Sequence, residues 1–295
     1  MSAAVRIGAH TSIAGSLEDA ANHAHKIGGN TLQIFSASPR MWRASPPGPV
    51  AVGRLRQARE KFDLHPLVIH DNYLINLASS DKTIREKSIT AFRGELERAI
   101  LIGAEYLVAH PGSYKNQSLE QGLLTFAESL VTASEGIESN HLMLLLENTA
   151  GQGSAIGSRI EELAAIRQLC GAKLGYKLGY CLDTAHTLAS GYDITTAAGL
   201  EDFLAQAEAV LPLELVGVIH ANDSKSPLGS RVDRHEHIGK GHIGEEAFRR
   251  ILTHKRLRGK AFILETPIEE DGDDARNIAA LRRLAAHGKP HLSSV

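Results

Sequence analysis

Short apolar runs recur along the chain, spaced widely enough to leave room for a helix between each pair. They are VRIGAH (5–10), TLQIF (31–35), PLVIH (66–70), EYLVAH (105–110), LMLLLE (142–147), LGYCLD (178–183), LVGVIH (215–220) and AFILE (261–265). Each has the length of a strand. Each is apolar almost throughout rather than alternating, as strands covered on both faces are. Between them lie amphipathic stretches with helical spacing: DKTIREKSITAFRGELERAILIG, GLEDFLAQAEAV, GEEAFRRILTHKRL and DDARNIAALRRLAAHG. Several end in Gly, a common helix stop. Eight strand–helix units in 295 residues predict an α/β fold of the closed (β/α)8 TIM-barrel type. A doubly wound open sheet is the alternative, but no Gly-x-Gly-x-x-Gly follows the first run. No linker of Pro, Gly and Ser interrupts the pattern. RASPPGPVAVG (43–53) reads as a loop too short to separate domains, so residues 1–295 are predicted to form a single domain.

The ends of these runs carry the chemistry. They close on His10, Phe35, His70, His110, Glu147, Asp183, His220 and Glu265, so seven of the eight end in His, Asp or Glu. In a parallel barrel all C-terminal strand ends lie on one face, where the loops build the site. Taken singly, a strand-end His reads as a polar residue satisfied by its neighbours. Seven such ends at one barrel face read as a ligand cluster. Three carboxylates and several imidazoles in one mouth are costly to bury without a cation. His with Asp or Glu is a ligand set for zinc and similar ions, and one carboxylate can bridge two of them. The stretch SRVDRHEHIGKG (230–241) has neither strand nor helix periodicity and reads as a loop after the seventh strand. Asp233 and His235 flank Arg234, so both can point one way in an extended segment. DTAH adds His186 three residues beyond Asp183. Together these supply enough ligand groups for more than one metal.

Composition narrows the picture further. Fifteen histidines is the one unusual count. His23 and His25 sit in a helix-like stretch, and His254, His287 and His291 in polar surroundings; none of these is expected at the site. A net charge of -2 excludes a global basic field, so nucleic-acid binding would require basic residues gathered on one face. The two cysteines, Cys170 and Cys181, exclude a disulfide framework and fit a reducing, cytoplasmic compartment. MSAAVRIGAH has no apolar run of signal-peptide length, and no stretch approaches the roughly 20 apolar residues of a membrane span. No apolar surface pattern demands a partner, so a monomer is expected.

Seven longer blocks carry a specific resemblance. HDNYLIN (70–76), HPGS (110–113), ENTAGQGS (147–154), LDTAH with SGYD (182–193), HANDSK (220–225), GSRVDRHEHIGKG (229–241) and ILET (263–266) resemble, in order, the signature blocks of the endonuclease IV family. These are zinc-dependent apurinic/apyrimidinic endonucleases, and the resemblance covers essentially the whole chain. It implies a barrel holding three zinc ions. His70, His110 and Glu147 would bind the first. Glu147, Asp183, His220 and Glu265 would bind the second, with Glu147 bridging. His186, Asp233 and His235 would bind the third. His10 fits the strand pattern but matches no ligand of the family. Ligand type alone also admits Mn2+ or Fe2+ in some sites.

The implied reaction is DNA repair. Hydroxide between the first two zinc ions would attack the phosphodiester 5′ to an abasic site in double-stranded DNA, with Glu147 orienting it. The products would be a 3′-hydroxyl and a 5′-deoxyribose phosphate, and 3′-end trimming is a further implied activity. An abasic nucleotide stacks poorly and is easier to flip out than an intact one. The positions matching the family's DNA-inserting residues are Arg40, Tyr73 and Leu74. Read without the resemblance, Tyr73 and Leu74 are rim anchors and Arg40 a solvated charge. Lys115, Lys225, Arg231, Arg234 and Lys240 lie in loops after the fourth and seventh strands and suit a phosphate-binding face. Tyr114 departs from the family, where a second histidine is frequent, and is expected to alter outer contacts rather than a ligand. His237 and His242 are expected outside the ligand set, and Cys181 is expected to be a core thiol.

The main rival is a sugar isomerase or epimerase, which shares the barrel and a Glu/Asp/His site. It needs neither the third ligand set nor the wedge residues. A metal-dependent phosphoesterase for small substrates would share the chemistry without duplex dependence. A non-catalytic binding barrel leaves the ligand set without a purpose.

Overall fold

The structure is a computed structural model describing residues 4–286; His287 and His291 lie outside the described residues. Eight parallel strands form the barrel wall. They are β1 (Arg6–Ala9), β2 (Leu32–Phe35), β3 (Leu67–His70), β4 (Tyr106–Ala109), β5 (Glu138–Glu147), β6 (Gly175–Asp183), β7 (Val216–His220) and β10 (Ala261–Leu264). The short pair β8 (Asp223–Ser224) and β9 (His235–Glu236) lies antiparallel in the loop after β7. The wall runs β1-β10-β7-β6-β5-β4-β3-β2. It closes at the β1/β2 seam through a single bridged pair, His10 and Gln33. There Thr11 N donates to Gln33 O at 2.8 Å and Asn30 N to Ile7 O at 3.0 Å. Gly8 permits this seam, since a Cβ would overlap the Thr31 carbonyl oxygen.

The helices pack outside the wall: α1 (Leu17–Lys26), α2 (Pro49–Phe62), α3 (Lys82–Ile102), α4 (Leu119–Ala133), α5 (Ile160–Cys170), α6 (Thr184–Ala189), α7 (Ala197–Val210), α8 (Glu245–Thr253) and α9 (Asp273–Ala286). Local chemistry sets their ends. Ser16 caps α1 by accepting from Asp19 N, Asp81 caps α3 by accepting from Ile84 N, and Gly103 ends α3 in the left-handed region. The segment 43–53, expected to be loop throughout, instead enters α2 at Pro49, whose fixed φ and missing N–H suit a first helical position. The expected helix over 244–257 is shorter, ending at Thr253.

The strand period explains both the core and the mouth. Leu67 and Ile69, Leu107 and Ala109, and Leu144 and Leu146 face the helices. Val68, Val108, Leu145, Cys181, Val218 and Ile263 fill the barrel interior. Side chains alternate along a strand. Two residues beyond each interior residue the chain reaches His70, His110, Glu147, Asp183, His220 or Glu265, so all six are aimed at the barrel axis just above the apolar plug. His10, His110 and Glu265 fall one residue past the last strand position rather than on it. Among the described residues, no helix is long and apolar enough to cross a membrane.

Candidate metal centre

The barrel mouth gathers the expected ligands into three overlapping groups. His70, His110 and Glu147 have ligand-type atoms within 4.8 Å of one another, and so do Glu147, Asp183, His220 and Glu265. Asp183, His186 and His235 form the third. Asp233 reaches this third group from the loop after β7, with Oδ2 3.3 Å from His186 Nε2 and Oδ1 3.4 Å from His235 Nε2. Glu147 and Asp183 are fully buried, and Asp233 is exposed. Glu147 joins the first two groups: Oε2 lies 3.3 Å from His70 Nε2 and 3.5 Å from His110 Nε2, and Oε1 lies 2.8 Å from His220 Nδ1.

Local structure fixes several of these side chains. Asp183 ends β6 and caps α6, its Oδ1 accepting from His186 N at 2.7 Å. That cap places His186 one helical turn beyond Asp183. Asn222 donates to Asp183 Oδ2 at 2.6 Å and accepts from Glu265 N at 2.7 Å, tying β6, β7 and β10 together. Asn148 accepts from Asp183 N at 2.7 Å. Buried Asp223 gathers four backbone amides, from Ser224, Gly239, Ile243 and Gly244, at 2.8–3.3 Å. This shapes the end of the loop that carries Asp233 and His235. Gly241 lets the loop fold back onto Asp223, where a Cβ would overlap the Ser224 carbonyl.

Three of the five imidazoles are oriented by a backbone carbonyl at their outer nitrogen. His70 Nδ1 donates to Asp71 O, His186 Nδ1 to Asn148 O and His235 Nδ1 to Glu265 O, each at 2.9 Å. A carbonyl can only accept, so each of these rings keeps Nε2 for the centre. His235 Nε2 is buried there without a hydrogen-bond partner.

Electrostatics point the same way. Burial works against protonated His70, but the Glu147 and Glu265 carboxylates outweigh it and raise its pKa to about 9. His186 and His220 rise well above the ordinary value, burial again being outweighed, by Asp183 foremost for His186 and by Cys181, then Glu147 and Glu265, for His220. Burial would raise Glu147, yet the surrounding imidazoles, His220 foremost, hold it well below the usual carboxylate range. The centre therefore stabilises positive charge where the ring nitrogens converge. Four carboxylates, five imidazoles and a buried unpartnered Nε2 fit divalent cations of the zinc type.

Next to this centre lies a cavity of about 330 Å³ lined in part by His10, Phe35, Tyr73, Asp233 and Ile268. A second, of about 360 Å³, adjoins it along Tyr73, Asn76, His110 and Gln152. Tyr73 is 69 % exposed and stands edge-on to Phe35, ring centroids 5.2 Å apart. Leu74 beside it is half-buried, and Arg40 is exposed in the loop after β2. Lys115, Arg231, Arg234 and Lys240 are exposed, whereas Lys225 is engaged by Glu269 and Glu236 at 3.5 and 3.9 Å.

Other singled-out residues lie elsewhere. His25 stacks on Phe62, His254 bonds Glu201, His237 contacts Asn277, and His23 and His242 are exposed. Tyr114 packs against Gly122 of α4. Cys181 sits in the apolar plug, its thiol pushed up to about 12 by burial. It lies within reach of Glu147 and His220 but belongs to the core layer below them. Sequence reading missed the residues that brace the ligands: Gln33, Asn148, Asn222 and Asp223. Gln33 carried a signal, a lone amide on the interior face of the apolar run TLQIF.

Residues 21–287 match the family described as xylose isomerase-like TIM barrel. A "Probable endonuclease 4" of Solibacter usitatus is 58 % identical over 286 residues, covering 97 % of this chain and 99 % of that protein. The chain belongs to the endonuclease IV family. The crystal structure of endonuclease IV from Thermus thermophilus superposes with a TM-score of 0.83 at 38 % identity, covering 96 % of this chain and 99 % of the other. A D-tagatose 3-epimerase-like protein superposes with a TM-score of 0.67 at 19 % identity, covering 96 % of each chain, a likeness of fold alone. Membership of the endonuclease IV family thus separates this chain from barrels that share only its architecture.

Proposed function

We propose that this protein is a zinc-dependent DNA-repair endonuclease. It hydrolyses the phosphodiester 5′ to an abasic site in duplex DNA and leaves a 3′-hydroxyl and a 5′-deoxyribose phosphate. The observation that carries this reading is the third ligand group. His186, Asp233 and His235 converge beside the groups that share Glu147, and family membership gives that surplus of ligands a phosphodiester substrate.

In this reading three ions would be held by His70, His110 and Glu147; by Glu147, Asp183, His220 and Glu265; and by His186, Asp233 and His235. Divalent ions so held acidify water towards neutral pH and neutralise phosphate oxygens. The chain supplies the rest. Glu147, braced between His70 and His220, orients the attacking oxygen. Carbonyl-locked His70, His186 and His235 keep their inner nitrogens free for the centre. Tyr73, projecting over the cavity, and Leu74 beside it fill the gap left by the missing base, and Arg40 enters the same stack. An abasic nucleotide costs less to extrude than an intact one, which favours damaged DNA. Arg231, Arg234, Lys240 and Lys115 contact backbone phosphates, so binding weakens with salt.

The test is a duplex oligonucleotide with one synthetic abasic site and an intact control, cut by wild type and Glu147→Gln. One cut 5′ to the lesion with a 3′-hydroxyl end, lost in the variant, supports the reading. No cut by folded, fully metallated protein, with activity on a small sugar instead, would replace it with the isomerase reading.

A further inference from the structure

Three histidines of the centre are oriented by backbone carbonyls, and His220 is not. Its outer nitrogen, Nε2, lies 2.8 Å from Gln33 Oε1, and its Nδ1 faces Glu147 Oε1 at 2.8 Å and Glu265 Oε2 at 3.3 Å. Gln33 is fully buried on β2. Its amide nitrogen stands 2.5 Å from Glu265 Oε1 and 3.0 Å from His10 Nδ1.

The orientation of that amide follows from its neighbours. A carboxylate only accepts, so Gln33 Nε2 must face Glu265 and Gln33 Oε1 must face His220. The oxygen only accepts as well, so His220 Nε2 carries a proton. The second amide hydrogen points at His10 Nδ1, which accepts it, so the His10 proton sits on Nε2. His220 Nδ1 then faces two carboxylate oxygens, Glu147 Oε1 and Glu265 Oε2, which it meets through a proton or, when an ion is bound, as a ligand to it.

We infer that Gln33 is a positioning residue of the centre, the one that orients His220. One buried amide fixes His220 as the Nε2–H tautomer, steers Glu265, and is itself held in orientation by His10. It does for His220 what the carbonyls of Asp71, Asn148 and Glu265 do for His70, His186 and His235. His10, a strand-end histidine outside the ligand set, thereby acquires a role, accepting the amide hydrogen that Glu265 leaves free. The His10–Gln33 pair is also the bridge that closes the barrel, so seam and centre are braced by the same contact.

This inference rests on the metal part of the proposed function and is tested without DNA. Zinc affinity is measured by chelator competition, and ring tautomers by NMR of histidine-15N protein loaded with zinc, for wild type, Gln33→Met and Gln33→Glu. Gln33→Met removes donor and acceptor at similar volume. It is expected to weaken one zinc about 10–100-fold, the range for loss of a partner that orients a ligand, and to release the His220 tautomer. Gln33→Glu keeps the acceptor and is expected to retain Nε2–H on His220, which a merely space-filling role would not predict. Zinc-loaded wild type with His220 protonated at Nδ1, or Gln33→Met with wild-type zinc affinity, overturns the inference alone. A wild type that binds no zinc overturns the metal reading as well. Where Gln33→Met fails to fold, the wild-type spectrum decides.

Discussion

Glu147 Oε1 lies 2.8 Å from His220 Nδ1, and both side chains are fully buried. A carboxylate that shares its other oxygen with His70 and His110 cannot be neutralised without disturbing two ligand groups. Glu147→Gln is expected to lower cleavage of abasic DNA by more than about 10²-fold, since even partners outside the ligand set cost 10–100-fold. Metal content, read by elemental analysis, should fall with it. A variant with full metal content and wild-type rate would remove Glu147 from the centre.

Metal removal should also be visible as lost stability. Ions that bind only the folded chain add stability by mass action, about 4 kcal/mol for each site at a thousandfold excess over Kd. Stripping the protein with a chelator is expected to lower Tm by on the order of 5–10 °C, and zinc should restore it. An unchanged Tm would mean that the mouth tolerates its carboxylates without a cation.

The loop that carries Arg40 is clasped from below. Arg98 donates to Ser36 Oγ at 2.7 Å and pairs with Glu95 at 2.9 Å, while Ser36 donates to Glu95 at 2.5 Å, all three buried. Removing one partner of a buried pair leaves an uncompensated charge. Arg98→Ala is expected to cost about 3–5 kcal/mol in urea unfolding, and Glu95→Leu with Arg98→Met to recover most of it. The double variant should bind abasic DNA more weakly, because the loop has lost its clasp.

Neither thiol should react in the native state. Cys170 and Cys181 are fully buried, and burial pushes their thiols up to about 11 and about 12. Both should label in denaturant and neither in buffer. Labelling of Cys181 on metal removal alone would show it to be a ligand rather than part of the barrel plug.

Acid should remove one capping contribution selectively. The Glu270 amide, with the Glu269 amide and Arg276, holds Asp273 at about 2, below its ordinary 3.8. A depressed carboxyl pKa stabilises the fold fully above the unfolded value, and that contribution is lost as pH falls from about 4 through 2. Asp273→Asn should therefore melt below wild type at pH 7, and the gap should close by pH 2.

Much of this was legible in sequence for a geometric reason. Strand period and parallel topology together decide which residues meet. Once LGYCLD and LVGVIH are read as neighbouring barrel strands, Asp183 and His220 must share the mouth. What escaped were contacts set by tertiary detail. Gln33 meets His220 only through the stagger at the β1/β2 seam. Asp223 finds its four amides only after the loop has turned. Helix α2 was hidden because its buried stripe of Val52, Leu55 and Ala58 includes Arg59, a charge satisfied by Glu105 at 2.7 Å. Tyr73 and Leu74 look alike in sequence, but only Tyr73 stands clear of the rim.

The order in which the ligands leave the ribosome follows from where the strands fall in the chain. His70, His110 and Glu147 have all emerged once the fifth strand has, but Glu265 directly follows β10, the last strand. A chain emerged only as far as β7 therefore carries every residue of the first group and yet lacks the carboxylate that completes the second. The second group is thus complete only when the eighth barrel strand has taken its place between β7 and β1.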